Sequence, residues 1–253
     1  MSPRLLSWVR PLVGVVGFFA AWQLLCLAGI VDPILLPTPG KTAAATWKGL
    51  ADGPIATDLY RSVERTILSF AIATAIAVPL GVFLGSSEPL YRSVEFVIDF
   101  FRSTPASAMF PLFLVLFGVG NRTKIAVAAF GAALVILFNT AYGVINARKG
   151  RVLAARVMGA SRIRLLTDVL LWESMPQTLV GMRAGVSLSL IIVIVAEMFI
   201  GSTDGLGYRL VTSQMVFDMP VMYGVIFIAG GLGYGLNLLC LGVEKVFVHW
   251  SGK

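Results

Sequence analysis

Residues 125–147, IAVAAFGAALVILFNTAYGVINA, form a continuous stretch without a charged side chain. A helix needs about 20 predominantly apolar residues to cross a hydrocarbon core about 30 Å thick. Similar stretches recur along the chain, one of them containing a single charge, Glu197; they cover residues 11–31, 66–87, 103–121, 184–203 and 219–243. The sequence therefore predicts an all-α, polytopic membrane protein with six transmembrane helices in a single transmembrane domain, residues 1–253.

The composition argues against a soluble enzyme. Hydrophobic residues make up 57% of the chain and charged residues 13%, whereas soluble proteins average about 25% charged residues. Arg4 and Arg10 precede the first apolar stretch, as in a secretory signal. That stretch is longer than the roughly 7–15 apolar residues of a signal peptide, and no clear cleavage site follows it. We expect an uncleaved first helix.

The distribution of lysine and arginine predicts the orientation, because cytoplasmic loops carry an excess of both. With the N-terminus inside, the inner segments hold the larger set: Arg4, Arg10, Arg92, Arg148, Lys149, Arg151, Arg156, Arg162, Arg164, Lys245 and Lys253. The outer segments hold Lys41, Lys48, Arg61, Arg65, Arg122, Lys124 and Arg209. We therefore expect both termini in the cytoplasm. Basic loops beside anionic lipid account for the net charge of +7 without a nucleic-acid partner.

Cysteine and histidine give no sign of a disulfide or a metal site. Cys26 and Cys240 fall inside predicted spans, towards opposite membrane faces, so we expect two unpaired thiols. His249 is the single histidine of the sequence and has no second histidine with which to form a metal site. We expect no cofactor and no metal on this chain.

The longest inner loop, residues 148–183, is basic and amphipathic. Residues 151–158 favour a short helix with an apolar ridge of Val152, Ala155 and Met158. Gly159 suits the left-handed residue that ends a helix, and Ser161 suits the N-cap of the next one. Such a helix could dock in a groove of another protein, or lie on the membrane as a positively charged anchor. The residues alone leave both interpretations open.

The third span is predicted to be irregular. Residues 87–102 have a charged face and several phenylalanines, a pattern that favours an interfacial helix at the cytoplasmic surface. Pro105 and Pro111 then follow, so we expect the span to be kinked or partly unwound. Ser103 and Thr104 are candidates for a transport pathway, because broken helices in membranes line cavities. A bent packing helix is the simpler interpretation.

Three more polar residues are candidates for the pathway or for a gate. Glu197 is the acidic group deep within a span, and it could relay protons, contact cargo or pair with a neighbour. We favour the structural or gating role. Asn139 could hydrogen-bond cargo, although helix packing explains it more simply. Arg102 could attract an anion near the cytoplasmic end, or pair with Asp99.

Glycines four residues apart occur in three spans: Gly81 and Gly85, Gly181 and Gly185, and Gly231 and Gly235. Pairs of small residues at this spacing let helices approach closely in lipid. We interpret all three as packing sites.

Residues 153–161, LAARVMGAS, resemble the EAA loop of ABC-importer permeases, whose pattern is E-A-A, three residues, Gly, nine residues and I-x-L-P. Ala154, Ala155 and Gly159 match, and Val169 keeps the nine-residue spacing. Leu153 replaces the acidic residue. At the later end of the motif Trp172 replaces the proline, while Pro176 matches a second proline found in one branch.

Further segments, in the same order, are similar to the taurine, alkanesulfonate and nitrate branch of this family. They are Leu35-Leu36-Pro37-Thr38-Pro39, residues 77–84, residues 117–121, Ala196-Glu197-Met198 and Gly205-Leu206-Gly207-Tyr208.

The resemblance implies a type I ABC-importer permease of the bacterial cytoplasmic (inner) membrane. It implies a second permease copy in a homodimer, a cytoplasmic ATPase dimer, an extracytoplasmic binding protein and a small anionic cargo. The residues implied to couple to the ATPase are Leu153, Ala154, Ala155, Arg156, Met158, Gly159, Ala160 and Ser161. The sequence contains no G-x-x-x-x-G-K-[ST] loop, so ATP and Mg²⁺ are expected on the partner and this chain is not expected to be an enzyme.

Two other functions compete with import by an ATP-driven complex. A secondary transporter would use Glu197 for proton coupling and would need no ATPase. A structural membrane subunit would anchor a cytoplasmic complex through the basic loop. In such a subunit the broken span and Glu197 would have no function.

Overall fold

The computed structural model describes residues 3–247, with side chains from residue 12 to residue 246. Lys253 and His249 lie outside the described residues. The fold is built from helices throughout this part of the chain: α1 (Pro3–Leu27), α2 (Pro39–Ala51), α3 (Ile55–Gly85), α4 (Glu88–Ser103), α5 (Phe110–Phe117), α6 (Asn121–Ile145), α7 (Lys149–Val157), α8 (Arg162–Arg164), α9 (Leu171–Phe199), α10 (Leu206–Met215) and α11 (Met219–Phe247).

Four helices of the described residues are long and apolar enough to cross a membrane. Three of them are α3, α6 and the segment Met219–Val246 of α11. The fourth is the continuous helix Arg162–Phe199, which consists of α8, a π-helical segment and α9. A fifth candidate is a bent pair, and the apolar part of α1, Leu12–Leu27, is shorter. The count of six spans and the cytoplasmic position of both termini remain predictions.

Helix α6 is the centre of the bundle and packs between α3 and α9. Alanines at the contact are almost fully buried: Ala73 and Ala77 on α3, and Ala132 and Ala141 on α6. Small side chains let the backbones approach closely, which is how helices associate where lipid removes the hydrophobic driving force.

Two of the three predicted glycine pairs lie in such contacts. A Cβ on Gly85 would lie 2.7 Å from the carbonyl oxygen of Ala141 on α6, and one on Gly181 would lie 2.6 Å from the Cβ of Asn139. The third pair differs, because nothing within the described chain lies within 4 Å of a Cβ placed on Gly231 or Gly235. This pair therefore has no packing partner within the described residues, and its interpretation as a packing site stays a prediction.

The third span is broken next to Pro105, where the sequence predicts a kink. Helix α4 meets the segment Ala106–Phe117 at an angle of 95°. The helix forms where predicted, but Tyr91 and Ile98 are buried in the same cluster as Ala141 of α6. Phe101 then contacts Phe130 edge to face, with ring centroids 5.6 Å apart. Helix α4 thus packs along α6 through its apolar face, and its position at the cytoplasmic surface stays a prediction.

Helix α1 is attached to the bundle by aromatic side chains. Trp22 stacks on Phe227 of α11 at 5.4 Å between centroids, and Phe18 and Phe19 contact the same ring at 6.3 Å and 5.9 Å. These contacts hold α1 on the outside of α11.

The contact between α3 and α6 gives a first prediction. We expect Gly85→Val to destabilise the protein by about 1–3 kcal/mol, because the added side chain meets backbone that cannot move aside. Thermal unfolding of the purified protein in mild detergent measures this. Gly230→Val is the matched control, since nothing lies within 4 Å of a Cβ at that position. Equal melting temperatures for the two variants would contradict the packing described here.

Candidate functional site

The basic loop, residues 148–183, begins with a helix, a glycine turn and a second helix. Helix α7 ends at Val157, and Gly159 follows with a φ of +79°, the left-handed conformation expected from the sequence. The N–H of Ala160 donates to the carbonyl of Ala155 at 3.0 Å. The Ser161 hydroxyl oxygen accepts from the N–H of Arg164 at 3.4 Å, which caps the following helix as predicted.

The two sides of α7 differ in burial. Ala155 is buried, and Val152 packs with Val82, Val144 and Leu170 of the protein's own core. Met158 does not continue this ridge, and it is 80% exposed. The predicted ridge of three residues is therefore wrong: Val152 and Ala155 attach the helix to the bundle, while Met158 points away.

The outward side of the loop is apolar and uncovered. Leu153, Val157, Met158 and Ile163 are 63%, 80%, 80% and 73% exposed. An exposed cluster of large apolar side chains on a charged surface marks an interaction site.

Charge holds the loop in place and surrounds it. Arg151 on α7 forms an ion pair with Glu173 on α9. Beside it a cavity of about 890 Å³ is lined by the basic residues Lys149, Arg156 and Arg162. None of these three side chains has an ion-pair partner within residues 12–246.

At the other end of the bundle, Glu197 is the centre of a buried polar network. Only 1% of its surface is exposed. Arg65 of α3 donates to its carboxylate at 2.6 Å, the Ser62 hydroxyl at 2.7 Å, and the backbone N–H of Gly207 at 3.0 Å. Arg65 also forms an ion pair with Asp204. The carboxylate therefore has a full set of partners inside the protein.

A second ion pair, in which Asp58 is buried and Arg209 is partly exposed, adjoins the first. Asp58 of α3 accepts from Nε of Arg209 at 2.7 Å and from the N–H of Gly205 at 2.9 Å. Gly205 has a φ of +110°, and a Cβ there would collide with the Glu197 carboxylate. The network thus joins α3, the end of α9 and the loop that leads into α10.

The sequence points to Glu197 but not to its partners. Arg65 and Arg209 are expected there among the charges of the outer segments, whereas Arg65 lies in α3 and is 2% exposed. The signal was present as Asp58, Ser62 and Arg65 at helical spacing, since residues three and four apart share a face. Their burial could not be seen because it depends on the distant Glu197.

Asn139 serves helix packing here. Its side-chain amide donates to the carbonyl of Val135 at 2.8 Å within α6, and it lies against Gly181 of α9.

The residues at the break of the third span lie around a small cavity. Arg102 and Thr104 line this cavity of about 200 Å³, and Ser103 between them is exposed. Arg102 pairs with Asp99 at 3.1 Å, as one of the two interpretations anticipated. The candidate residues therefore fall into four separate places: the loop, the Glu197 network, the break, and the contact of α6 with α9 at Asn139.

Comparison with known proteins agrees with this architecture. Residues 77–249 match the family described as "Binding-protein-dependent transport system inner membrane component". The chain belongs to this family. It is 29% identical to the aliphatic sulfonates transport permease protein SsuC of Escherichia coli, over 98% of this chain and 92% of the relative.

Two further relatives belong to the same branch. Identity is 24% to the taurine transport system permease protein TauC of Escherichia coli, covering 100% of this chain and 96% of the relative. Identity is 25% to the nitrate import permease protein NrtB of Synechocystis, covering 82% of this chain and 76% of the relative. The fold is similar to a chain of the inward-facing MetNI methionine ABC transporter, with a TM-score of 0.70, 21% identity, and 77% of this chain and 96% of that chain covered.

Membership settles the class of protein. The chain is the permease subunit of an ABC importer in the inner membrane, a transport component and not an enzyme. The family works with an ATPase and a substrate-binding protein. Neither the comparisons nor the internal pairing of Glu197 support the proton-coupled alternative.

The Glu197 network gives a second prediction. We expect Glu197→Ala to destabilise the protein by about 3 kcal/mol, because it removes the buried counter-charge of Arg65 and leaves it only the partly exposed Asp204. Glu197→Gln should cost less, since its amide oxygen still accepts from Arg65. Thermal unfolding in detergent measures both.

The control for this series is Glu64→Gln, which breaks the exposed Arg61–Glu64 pair on the same helix and should leave the melting temperature unchanged. If Glu197→Ala has the same melting temperature as the wild type, the network does not stabilise the protein.

Proposed function

We propose that this permease moves a small anion, of the sulfonate, taurine or nitrate type, into the cytoplasm by alternating access driven by ATP hydrolysis on a partner. The cargo class is supported by the relatives SsuC, TauC and NrtB. The partner ATPase binds ATP and Mg²⁺, and this chain supplies the path. A binding protein delivers the cargo at the outer face.

The coupling surface is the outward side of α7, and one observation carries this assignment. Leu153, Val157 and Met158 are large, apolar and mostly exposed, on a helix that Ala155 and the Arg151–Glu173 pair fix to the bundle. A partner that covers these side chains removes apolar area from water, at about 25 cal/mol per Å². The other residues of this stretch, Ala154, Arg156, Gly159, Ala160 and Ser161, set its charge and the turn that ends it.

The working unit is a homodimer of permeases on an ATPase dimer, with both termini of each permease in the cytoplasm. The resemblance to type I importers is the support for two copies. Basic residues of the loop, such as Arg162 and Arg164, lie where anionic lipid headgroups would attract them.

Docking can be tested on α7 itself. We expect Met158→Glu, alone or with Val157→Glu, to lower ATP-driven uptake at least tenfold, because a carboxylate replaces an apolar contact. Gly159→Val should act similarly, because a β-branched residue is strained at a φ of +79°. Uptake in vesicles and the amount of ATPase that co-purifies measure this.

Arg92→Gln is the control for docking, since its pair with Glu88 lies exposed on the neighbouring α4 and both readouts should be unchanged. Normal uptake by Met158→Glu with normal insertion would exclude α7 as the coupling surface.

The energy source and the cargo can be tested together. The permease is reconstituted in proteoliposomes with its ATPase and binding protein, and labelled ethanesulfonate, taurine and nitrate are offered. We expect ATP-dependent accumulation of at least one of them, insensitive to a proton ionophore. Accumulation that needs a pH gradient and no ATP would establish the secondary transporter instead.

A further inference from the structure

The break in the third span lies at mid-depth of the bundle. Helix α6 rises about 1.5 Å per residue and is about 38 Å long. On this scale Gly131 and Phe138 lie about 15 Å and about 26 Å from the end that carries Asn121. Pro105 at the break shares a cavity with Gly131, and the Arg102 guanidinium carbon lies 3.9 Å from the centroid of the Phe138 ring. Arg102 therefore lies about 12 Å from the cytoplasmic end of α6, within the span of a hydrocarbon core about 30 Å thick.

A charged side chain at this depth has few stable surroundings. Irregular backbone and ionisable groups within the membrane are tolerated where protein or a water-filled cavity surrounds them. The Arg102 side chain is nevertheless 39% exposed in this chain. Its open part must therefore face a path or a partner and not lipid.

The cavity at the break has a polar end and an apolar body. Arg102 and Thr104 are its polar side chains. The remaining lining is apolar: Phe101, Pro105, Ala106, Phe130, Gly131, Leu134, Val135 and Leu188. A volume of about 200 Å³ suits a small molecule with one charged group and a short carbon chain.

Arg102 keeps donors free for such a group. Asp99 approaches it at 3.1 Å, but this contact lacks the geometry of a hydrogen bond, and the Asp99 oxygen has no hydrogen-bond partner. A guanidinium carries five N–H donors arranged as a fork that matches oxyanions. Asp99 thus serves as a local counter-charge that an arriving oxyanion can replace.

We propose that the break forms a mid-membrane binding site for the oxyanion group of the cargo, with Arg102 as its main ligand. Thr104, whose hydroxyl donates to the carbonyl of Phe100 at 2.9 Å, lines the polar end beside Arg102, and the apolar wall receives the carbon chain. The site favours a short organic sulfonate over nitrate, which has no carbon chain to bury. This proposal rests on the proposed import of a small anion, and it assigns the place where that anion pauses within the membrane.

The charge of the site can be tested without knowing the cargo. Thr104→Cys is introduced in the assembled importer with Cys26 and Cys240 replaced by serine. The labelling rates of anionic sulfonatoethyl and cationic trimethylammonioethyl methanethiosulfonate are then compared in membrane vesicles. We expect both reagents to reach the thiol, and the anion-to-cation rate ratio to fall at least tenfold when Arg102→Gln is added. Arg92→Gln should leave the ratio unchanged.

An unchanged ratio in Arg102→Gln, or no labelling by either reagent, would overturn the proposal. A lowered ratio in an importer that takes up none of the offered anions would support the site and contradict the proposed cargo. The proposed site and the proposed cargo can therefore be contradicted independently of each other.

Uptake then separates binding from a structural ion pair. We expect Arg102→Gln to lower ethanesulfonate uptake at least tenfold while ATP hydrolysis stimulated by the binding protein is retained. Arg102→Lys should recover part of the uptake, and Asp99→Asn should retain it, because the anion does not need the counter-charge. An equal loss in Asp99→Asn and Arg102→Gln would assign Arg102 to the ion pair and overturn the site.

Discussion

The close approach of α3 and α9 to α6 is the contact on which the other features depend. Lipid provides no hydrophobic force between helices, so the bundle relies on van der Waals contact between small residues. Ala77 and Gly85 on α3 and Ala132 and Ala141 on α6 supply it. Because these surfaces have no room for larger side chains, the three helices form a rigid centre. The broken span, the loop and the outer network are all attached to this centre.

Two ion pairs of the bundle lie at different depths, and their surroundings differ. At the outer end, Glu197 and Arg65 are buried and fully partnered, so this network stabilises one arrangement of α3, α9 and α10. At the break, the Arg102 side chain is 39% exposed, and its contact with Asp99 is not a hydrogen bond. A closed ion pair in a low-dielectric interior is costly to separate, whereas an open one can exchange its partner. The first arrangement suits structure, and the second suits a passing ligand.

The sequence predicted what depends on local pattern. Charge-free stretches predicted the apolar helices, and Gly159 and Ser161 predicted the turn and cap of the loop, because backbone chemistry alone determines both. It placed the break of the third span at Pro105, but it could not give the position of Arg102 along α6, because that depends on how α4 packs. It also missed Arg65, whose partner Glu197 is far along the chain. Contacts between distant segments leave no periodic signal in one sequence.

Continuity of two helices explains how events at the loop could reach the outer face. The helix Arg162–Phe199 begins beside α7 and ends next to the Glu197 network, while α3 starts at that network and reaches the loop through Val82. At about 1.5 Å per residue such helices transmit displacement over the full membrane thickness. The π-helical turn Leu165–Leu170 and Pro176 lie near the loop end of the first helix, where a changed hydrogen-bond pattern allows bending. A push on α7 would thus be absorbed by this bend near the loop, and the fixed network around Glu197 would keep α3 and α9 moving together.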